Sequence, residues 1–283
     1  MPLTPYACGN CGFWQRHFAP PPDCPVCTDV RNDLPEDGWH FHTESDVRDR
    51  LDGHWRRLER ALVAFSTAPP FGLNGIGWLL LHPDGNVAFE AAPYYTDAML
   101  AEIARLGGIR YLAASHAHGY GALWQLQDAF APEVLAIQKD DLGMTKAFRV
   151  TWPYDDRLEL RPGLTLHHVG GHYEGQAVLH DRSRRILFCG DAFKVDQDAA
   201  GNNLAVSTHK AFHKAIPLSA SEVRRYRAVI APLDFDTVCT PFEHAPGIGR
   251  EVALAVLDDQ LAHRPSVRHL PVADLPHSHG AAS

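Results

Sequence analysis

The sequence predicts an α+β chain: one main domain with a small four-cysteine metal module in front of it. Three observations predict this. From about residue 77 to 262, short apolar strands interchange with amphipathic helices. Four of those strands end in a histidine or an aspartate. Four of the six cysteines fall within the first 27 residues, as two Cys-x-x-Cys pairs.

The chain has 283 residues, enough for one sizeable core and an appendage. It is 45% hydrophobic and 21% charged, the balance of a soluble globular protein. A net charge of -8 gives no electrostatic case for nucleic acid or an anionic membrane. No apolar run approaches the roughly 18–20 residues of a membrane span. The first residues lack the basic stretch and apolar core of a secretory signal, so a cytoplasmic location is expected. Eighteen histidines is a high count and raises the expectation of metal chemistry. The expected partners are a small-molecule substrate and at most a second copy of the chain as a homodimer.

Residues 1–40 read as a distinct module. Cys8-Gly9-Asn10-Cys11 and Cys24-Pro25-Val26-Cys27 are separated by a loop containing Pro20, Pro21 and Pro22. So few residues bury little core, and a metal is the natural staple. Thiolates of Cys8, Cys11, Cys24 and Cys27 make a tetrahedral all-sulfur site for zinc or iron. With an aromatic, Tyr6, before the first pair and Pro22-Asp23 before the second, residues 5–30 resemble the rubredoxin-like knuckle attached to rubrerythrins. That resemblance implies iron in electron-transfer relatives and structural zinc in similar ribbons. Cys189 and Cys239 stand alone in apolar strands and read as buried packing residues.

Over residues 43–65, Val47, Leu51, Trp55, Leu58, Leu62 and Phe65 recur at spacings of three and four. This spacing predicts a linker helix, ended by Pro69-Pro70, within a connecting region 41–68. The main domain follows over 69–263. Residues 77–82 and 86–91 are strands joined by the turn His82-Pro83-Asp84-Gly85. Thr96 caps a helix whose Met99, Leu100, Ile103 and Leu106 face inward, and Gly107 closes it. Residues 109–115 form a strand, 122–130 a helix and 134–138 a strand. Strands are expected at 157–160, 164–169, 176–181, 185–189 and 237–240, and helices at 221–228 and 249–261. Within 164–169, alternation puts one of His167 and His168 inside and one outside, both structural. Residues 264–283 show no periodicity and read as a flexible tail, with His277 and His279 in it.

Two imidazoles one residue apart, His116 and His118, follow the strand 109–115 in a small-residue loop and can bind one ion. His172, Asp191 and His244 lie just beyond later strands. Read together, these are one metal site assembled from strand ends. His116-Ala117-His118, Gly171-His172 with Gly175, Cys189-Gly190-Asp191 and the final strand leading to His244 resemble, in order and spacing, the metallo-β-lactamase fold superfamily. The resemblance spans about residues 70–262. It implies a four-layer αββα sandwich with metal at one edge.

In that family a His-x-His-x-Asp-His motif supplies two metal positions. The resemblance implies that His116, His118 and His172, with Asp191, form the first. The second departs from the pattern. Tyr120 stands in place of the motif's Asp and Gly121 in place of its last His. Glycine has no side chain to ligate with, and a phenol is a poor stand-in for a carboxylate. One ion is therefore expected. His116, His118, Asp191, Tyr120 and His244 are the expected catalytic residues, with His244, Glu174 and Tyr120 as alternative bases.

The first functional expectation is a mononuclear zinc hydrolase acting on a small ester, thioester, lactone or phosphoester. Three imidazoles leave zinc an open position and acidify its water. The second is a non-haem iron oxidoreductase, with iron also in the four-cysteine module. His116, His172 and Asp191 match the two-histidine, one-carboxylate set. Persulfide dioxygenases of this fold use that set, and diiron relatives work with rubredoxin. The third is a catalytically reduced metal- or ligand-binding member. Trp78, Phe148, Trp152, Tyr154, Phe193 and Phe212 are expected to wall the pocket.

Overall fold

A computed structural model describes residues 3–29, 31–32 and 34–276 of the chain. His277 and His279, expected in a tail, lie outside the described residues. The chain divides into two compact units, Met1–Tyr154 and Asp155–Ser283.

The first unit opens with β1 (Thr4–Cys8), β2 (Trp14–His17) and β3 (Phe41–Thr43), a three-stranded antiparallel sheet in the order β2-β1-β3. This sheet carries the four-cysteine module and is anchored within its unit. Trp14 is buried, its indole N–H donates to Pro93 O at 2.9 Å, and its ring packs on Tyr94 and Trp124. Burying one Trp contributes on the order of 2–3 kcal/mol, so the module has a core anchor besides its sulfurs.

After a five-residue helix α1 (Glu44–Arg48) comes a seven-stranded sheet. Its strands are β4 (Asp52–Leu58), β5 (Leu62–Ala68), β6 (Gly77–Leu80), β7 (Val87–Phe89), β8 (Tyr111–Ala113), β9 (Val134–Gln138) and β10 (Trp152–Tyr154). Strands β4 to β7 pair antiparallel and β7 to β10 parallel. Helices α2 (Asp97–Arg105), capped by Thr96, and α3 (Leu123–Phe130) connect the parallel strands. Parallel neighbours need such crossovers.

The linker helix expected over 43–65 is not formed beyond α1. Residues 52–68 make the β4–β5 hairpin instead. Across a three-residue turn, the spacings read as one helix face become cross-strand pairs: Trp55 faces Phe65, and Leu58 faces Leu62. The deciding signal was the run Leu62-Val63-Ala64-Phe65, buried without a break. An amphipathic helix leaves an exposed stripe in four consecutive residues, whereas a strand inside a sheet covers both faces.

The second unit holds a six-stranded sheet in the order β11-β12-β13-β14-β17-β18. These are β11 (Arg157–Arg161), β12 (Leu164–His168), β13 (Ala177–Asp181), β14 (Ile186–Phe188), β17 (Thr237–Cys239) and β18 (His244–Pro246). Between β14 and β17 lie β15 (Lys194–Gln197), β16 (Asn203–Ser207) and α4 (Ala220–Ile230). After β18 come α5 (Arg250–Ala262) and β19 (Leu270–Pro271). Val178, Leu187 and Val238 of the sheet pack with Val223, Tyr226 and Ile230 of α4 and Val252, Val256 and Leu257 of α5. Each such aliphatic side chain contributes about 1.5–3 kcal/mol on burial. The two units thus supply the sheets and helical layers of the expected α+β, αββα composition.

The segment after 263 is more structured than expected. Strand β19 pairs with β16, and Leu275 is buried in the core of its unit. Its two-residue length left no periodicity to read. Among the described residues, no helix is long and apolar enough to cross a membrane.

Candidate metal centre

Strand β8 ends at Ala113, and Ala114 and Ser115 lead to His116, which is fully buried. Ser115 Oγ lies 2.8 Å from His116 Nδ1, which turns Nε2 toward a ligand position. A 3₁₀ turn over Ala117–Gly119 then brings His118 beside it, with the two rings edge to face at 5.1 Å. In the second unit, β12 runs out into Val169-Gly170-Gly171-His172. Both glycines have positive φ, 64° and 85°, and a Cβ on Gly170 would strike the Arg225 guanidinium. Tyr226 Oη donates to Gly170 O at 2.8 Å, and His172 N donates to Tyr226 Oη at 3.4 Å, so α4 holds the loop. Strand β14 leads to a 3₁₀ turn over Gly190–Ala192 that presents Asp191.

His116, His118, His172 and Asp191 each offer one ligand atom, and these atoms lie within 4.8 Å of one another. His172 Nε2 and Asp191 Oδ2 are 3.4 Å apart. Two ligands about 2.05 Å from a tetrahedral zinc are separated by roughly 3.3 Å, so the donor set fits such an ion in chemistry and spacing.

Among the described residues, no further group of three or more possible ligands stands beside this one. Tyr120 is buried with its ring against Phe148 at 5.2 Å. Gly121 has φ 37°, and a Cβ there would stand 2.4 Å from Ala91 O and 2.6 Å from Ala92 O. The chain passes too close for any side chain at 121. His244 heads β18 opposite Cys239 and is not among the four clustered ligands. Glu174 is exposed, and its carbonyl engages His168 at 2.7 Å. His167 and His168 are each half-buried, so the expected in-and-out alternation does not separate them.

Sequence reasoning missed Glu90. It follows β7, is 1% exposed and has φ 61°. Its Oε1 accepts from Ser115 N at 3.3 Å, and its carboxylate fills the space where a Cβ of Gly119 would be. Ala91 N donates to Gly119 O, and Ala122 N to Ala92 O. Residues 90–92 therefore clasp the whole His-x-His loop. The only sequence trace was an acid set directly against an apolar strand end. Glu243 was also missed. It accepts from Thr240 Oγ1, and its carboxyl is pushed up by burial, with the charge of Asp191 adding to the effect.

Of the six aromatics expected to wall a pocket, Phe148 contacts Tyr120 and Phe212 contacts His172. Trp152 is exposed, while Trp78, Tyr154 and Phe193 are buried.

In the N-terminal module, Cys8, Cys11, Cys24 and Cys27 form a second four-ligand group within 4.8 Å. Cys8 and Cys27 sulfurs are 3.9 Å apart, and Cys11 and Cys24 sulfurs 3.6 Å. Tetrahedral metal–sulfur bonds of about 2.3 Å give edges of roughly 3.8 Å, and a disulfide would need about 2.05 Å. Asn10 Nδ2 donates to Cys27 Sγ at 3.3 Å. The four thiols share their protons: neighbouring sulfurs hold Cys8 and Cys27 below the ordinary thiol range and Cys11 and Cys24 above it. Cys189 and Cys239 are buried in strand ends, as expected.

The metallo-beta-lactamase superfamily model matches residues 97–230. An uncharacterized protein of Bacillus subtilis strain 168, YmaE, is 30% identical over 245 residues, 84% of this chain and 88% of its own. Among solved structures, the metallo-beta-lactamase FIM-1 from Pseudomonas aeruginosa, in a mono-zinc form, aligns with TM-score 0.54 and 13% identity over 76% of this chain and 98% of its own. A metallo-beta-lactamase from Pontibacter korlensis aligns with TM-score 0.53 and 14% identity over 74% of this chain and all of its own.

Proposed function

We propose that this chain, whose residues 97–230 match the metallo-beta-lactamase superfamily model, is a metal-dependent hydrolase of that superfamily with one zinc ion, acting on a small ester, thioester, lactone or phosphoester. The observation that carries this reading is the clustering of His116, His118, His172 and Asp191 beside a loop whose next residues, Tyr120 and Gly121, offer neither a carboxylate nor an imidazole. A relative of this fold is described in a mono-zinc form, which supports a single-ion centre.

Zinc in such a set is a Lewis acid that polarises a carbonyl or phosphoryl oxygen and acidifies water to a pKa of about 7. The protein's own residues do the remaining work. Ser115 fixes the His116 ring through Nδ1. Tyr226 and the two glycines fix the His172 loop. Phe148 and Phe212 place apolar rings against Tyr120 and His172, where they exclude water. The four-cysteine module holds a structural zinc. None of the six cysteines is in a disulfide, which fits a reducing cytosol.

Elemental analysis and a visible spectrum of freshly purified protein test this. The expectation is a colourless protein with about two zinc ions per chain, one lost in His116→Ala/His118→Ala. Turnover within a panel of chromogenic esters, thioesters, lactones and phosphodiesters should disappear in the same variant. A red iron–thiolate chromophore with further iron would move the reading to an oxidoreductase. Metal in the cysteine module alone would sink both.

A further inference from the structure

His209 lies in the second unit, two residues beyond β16. It is 3% exposed. Its position is tied to the Asp191 turn and to His172. Thr208 Oγ1 donates to Ala192 O at 2.7 Å, and Gln260 Nε2 donates to Thr208 O at 3.2 Å. The His209 ring packs on Phe212 at 4.6 Å, and Phe212 packs on His172 at 5.2 Å. One aromatic ring therefore separates His209 from a metal ligand. Its other neighbour is His269, edge to face at 5.3 Å, whose Nδ1 lies 2.7 Å from Asp196 Oδ2.

The hydrogen-bond accounting at His209 is incomplete in a specific way. Nε2 lies 2.8 Å from Ser207 Oγ. Nδ1 is buried and has no partner among the described residues. Ser207 is itself fully buried, and its hydroxyl has no other partner among them. The Ser207 hydroxyl carries one proton. If it donates to Nε2, the single proton of the neutral ring sits on Nδ1, and one donor is left unmet. If Nε2–H donates to Ser207 instead, the hydroxyl proton and the Nδ1 lone pair are both stranded. The first arrangement strands fewer groups and is favoured. Burial pushes the His209 pKa down to about 4, so the ring is neutral near pH 7. An unmet buried donor is unfavourable, and a ligand oxygen that accepts from it would relieve that cost.

We propose that His209 is a substrate-binding residue beside the His172–Asp191 half of the metal centre, whose Nδ1–H donates to a carbonyl or carboxylate oxygen of a ligand that packs on Phe212. It rests on the hydrolase reading for the identity of that ligand, though not for the hydrogen bond itself. A neutral donor suits an ester or lactone carbonyl and the carboxylate formed from it. The nearby cations are already engaged: Lys194 with Asp196, and Lys210 with Glu222.

The test uses the zinc-loaded full chain labelled with 15N-histidine, with benzoate as the probe. Two-bond 1H–15N spectra, assigned by the signals lost in His209→Asn, should show the proton on Nδ1, and benzoate should shift that nitrogen. His209→Phe, which keeps a ring against Phe212, should weaken benzoate about ten-fold, while His209→Asn, whose amide N–H falls near Nδ1, should stay within about three-fold. Zinc content should not change in either variant. A proton on Nε2, a His209 signal unmoved by benzoate, or full benzoate affinity in His209→Phe would each overturn the proposal. These readouts do not use turnover. Failure of the whole chromogenic panel with an intact benzoate response would remove the hydrolase reading alone. Turnover with no His209 response would remove this inference alone.

Discussion

A Cβ on Gly121 would stand 2.4 Å from the carbonyl oxygen of Ala91. That distance is inside any real carbon–oxygen contact, so the missing second-metal histidine is not a simple loss of a side chain. The backbone has closed over the place where it would stand. Gly121→His should therefore fail to recruit another ion. It should also lower the thermal midpoint, since the left-handed φ and the clash together cost on the order of 2–4 kcal/mol. Metal content by elemental analysis, with a melting curve, checks both parts. A gain of one zinc per chain would refute this account of the loop.

Glu90 and Ser115 make the matching prediction on the other side of the loop. Glu90→Ala leaves the Ser115 amide without its acceptor and opens a space beside Gly119. The expected cost is about 1–3 kcal/mol of stability and a 10- to 100-fold loss of metal affinity at the histidine site. Glu90→Gln keeps an acceptor and should recover most of both. Competition with a chromogenic chelator gives the affinity.

The four-cysteine module supports a third prediction. Cys24→Ser should release one metal ion per chain and leave the histidine centre loaded, as read by elemental analysis. Loss of a structural metal should also lower the melting temperature by well over 5 °C, since such a site contributes several kcal/mol. An unchanged melting curve would mean that the Trp14 anchor alone holds the module.

The pH dependence of stability should carry a histidine signature. Burial, with Arg157 adding to it, moves His167 from 6.5 to about 4. A depressed histidine favours the neutral folded form. Its contribution is fully present above the unfolded value of 6.5 and is lost as pH falls from there toward about 4. His167→Gln should flatten the decline in thermal midpoint between those pH values. His209, lowered to about the same value, retains its share of the decline in that variant. An identical slope in wild type and His167→Gln would contradict the assignment.

Much of the candidate site was legible because its parts are local. Cys8 and Cys11, like Cys24 and Cys27, mark a group that could hold a metal by spacing alone. His116 and His118 sit one residue apart after a strand, and Asp191 follows Gly190 after another. Thr96 and Met99 fix a helix start by short-range hydrogen bonding, and the structure has it there. The misreading over 43–65 came from a pattern that two structures share. Trp55 with Phe65, and Leu58 with Leu62, are neighbours across a hairpin as much as they are steps along a helix.

By itself the sequence determined the α+β class, the members of the two four-residue clusters that could hold a metal, and the departure from the family motif at Tyr120 and Gly121. These depend on residue identity and short spacing, which the chain carries openly. Only the tertiary structure decided what Glu90, Gly121 and His209 are for. Glu90 matters because Ser115, 25 residues away, donates to it. Gly121 matters because Ala91 passes within van der Waals reach. His209 matters because folding buries Nδ1 beside Phe212 and provides it no partner among the described residues. The physical reason is the same in each case: close approach and an unmet hydrogen bond are properties of pairs, and the pairs form only when distant segments fold together.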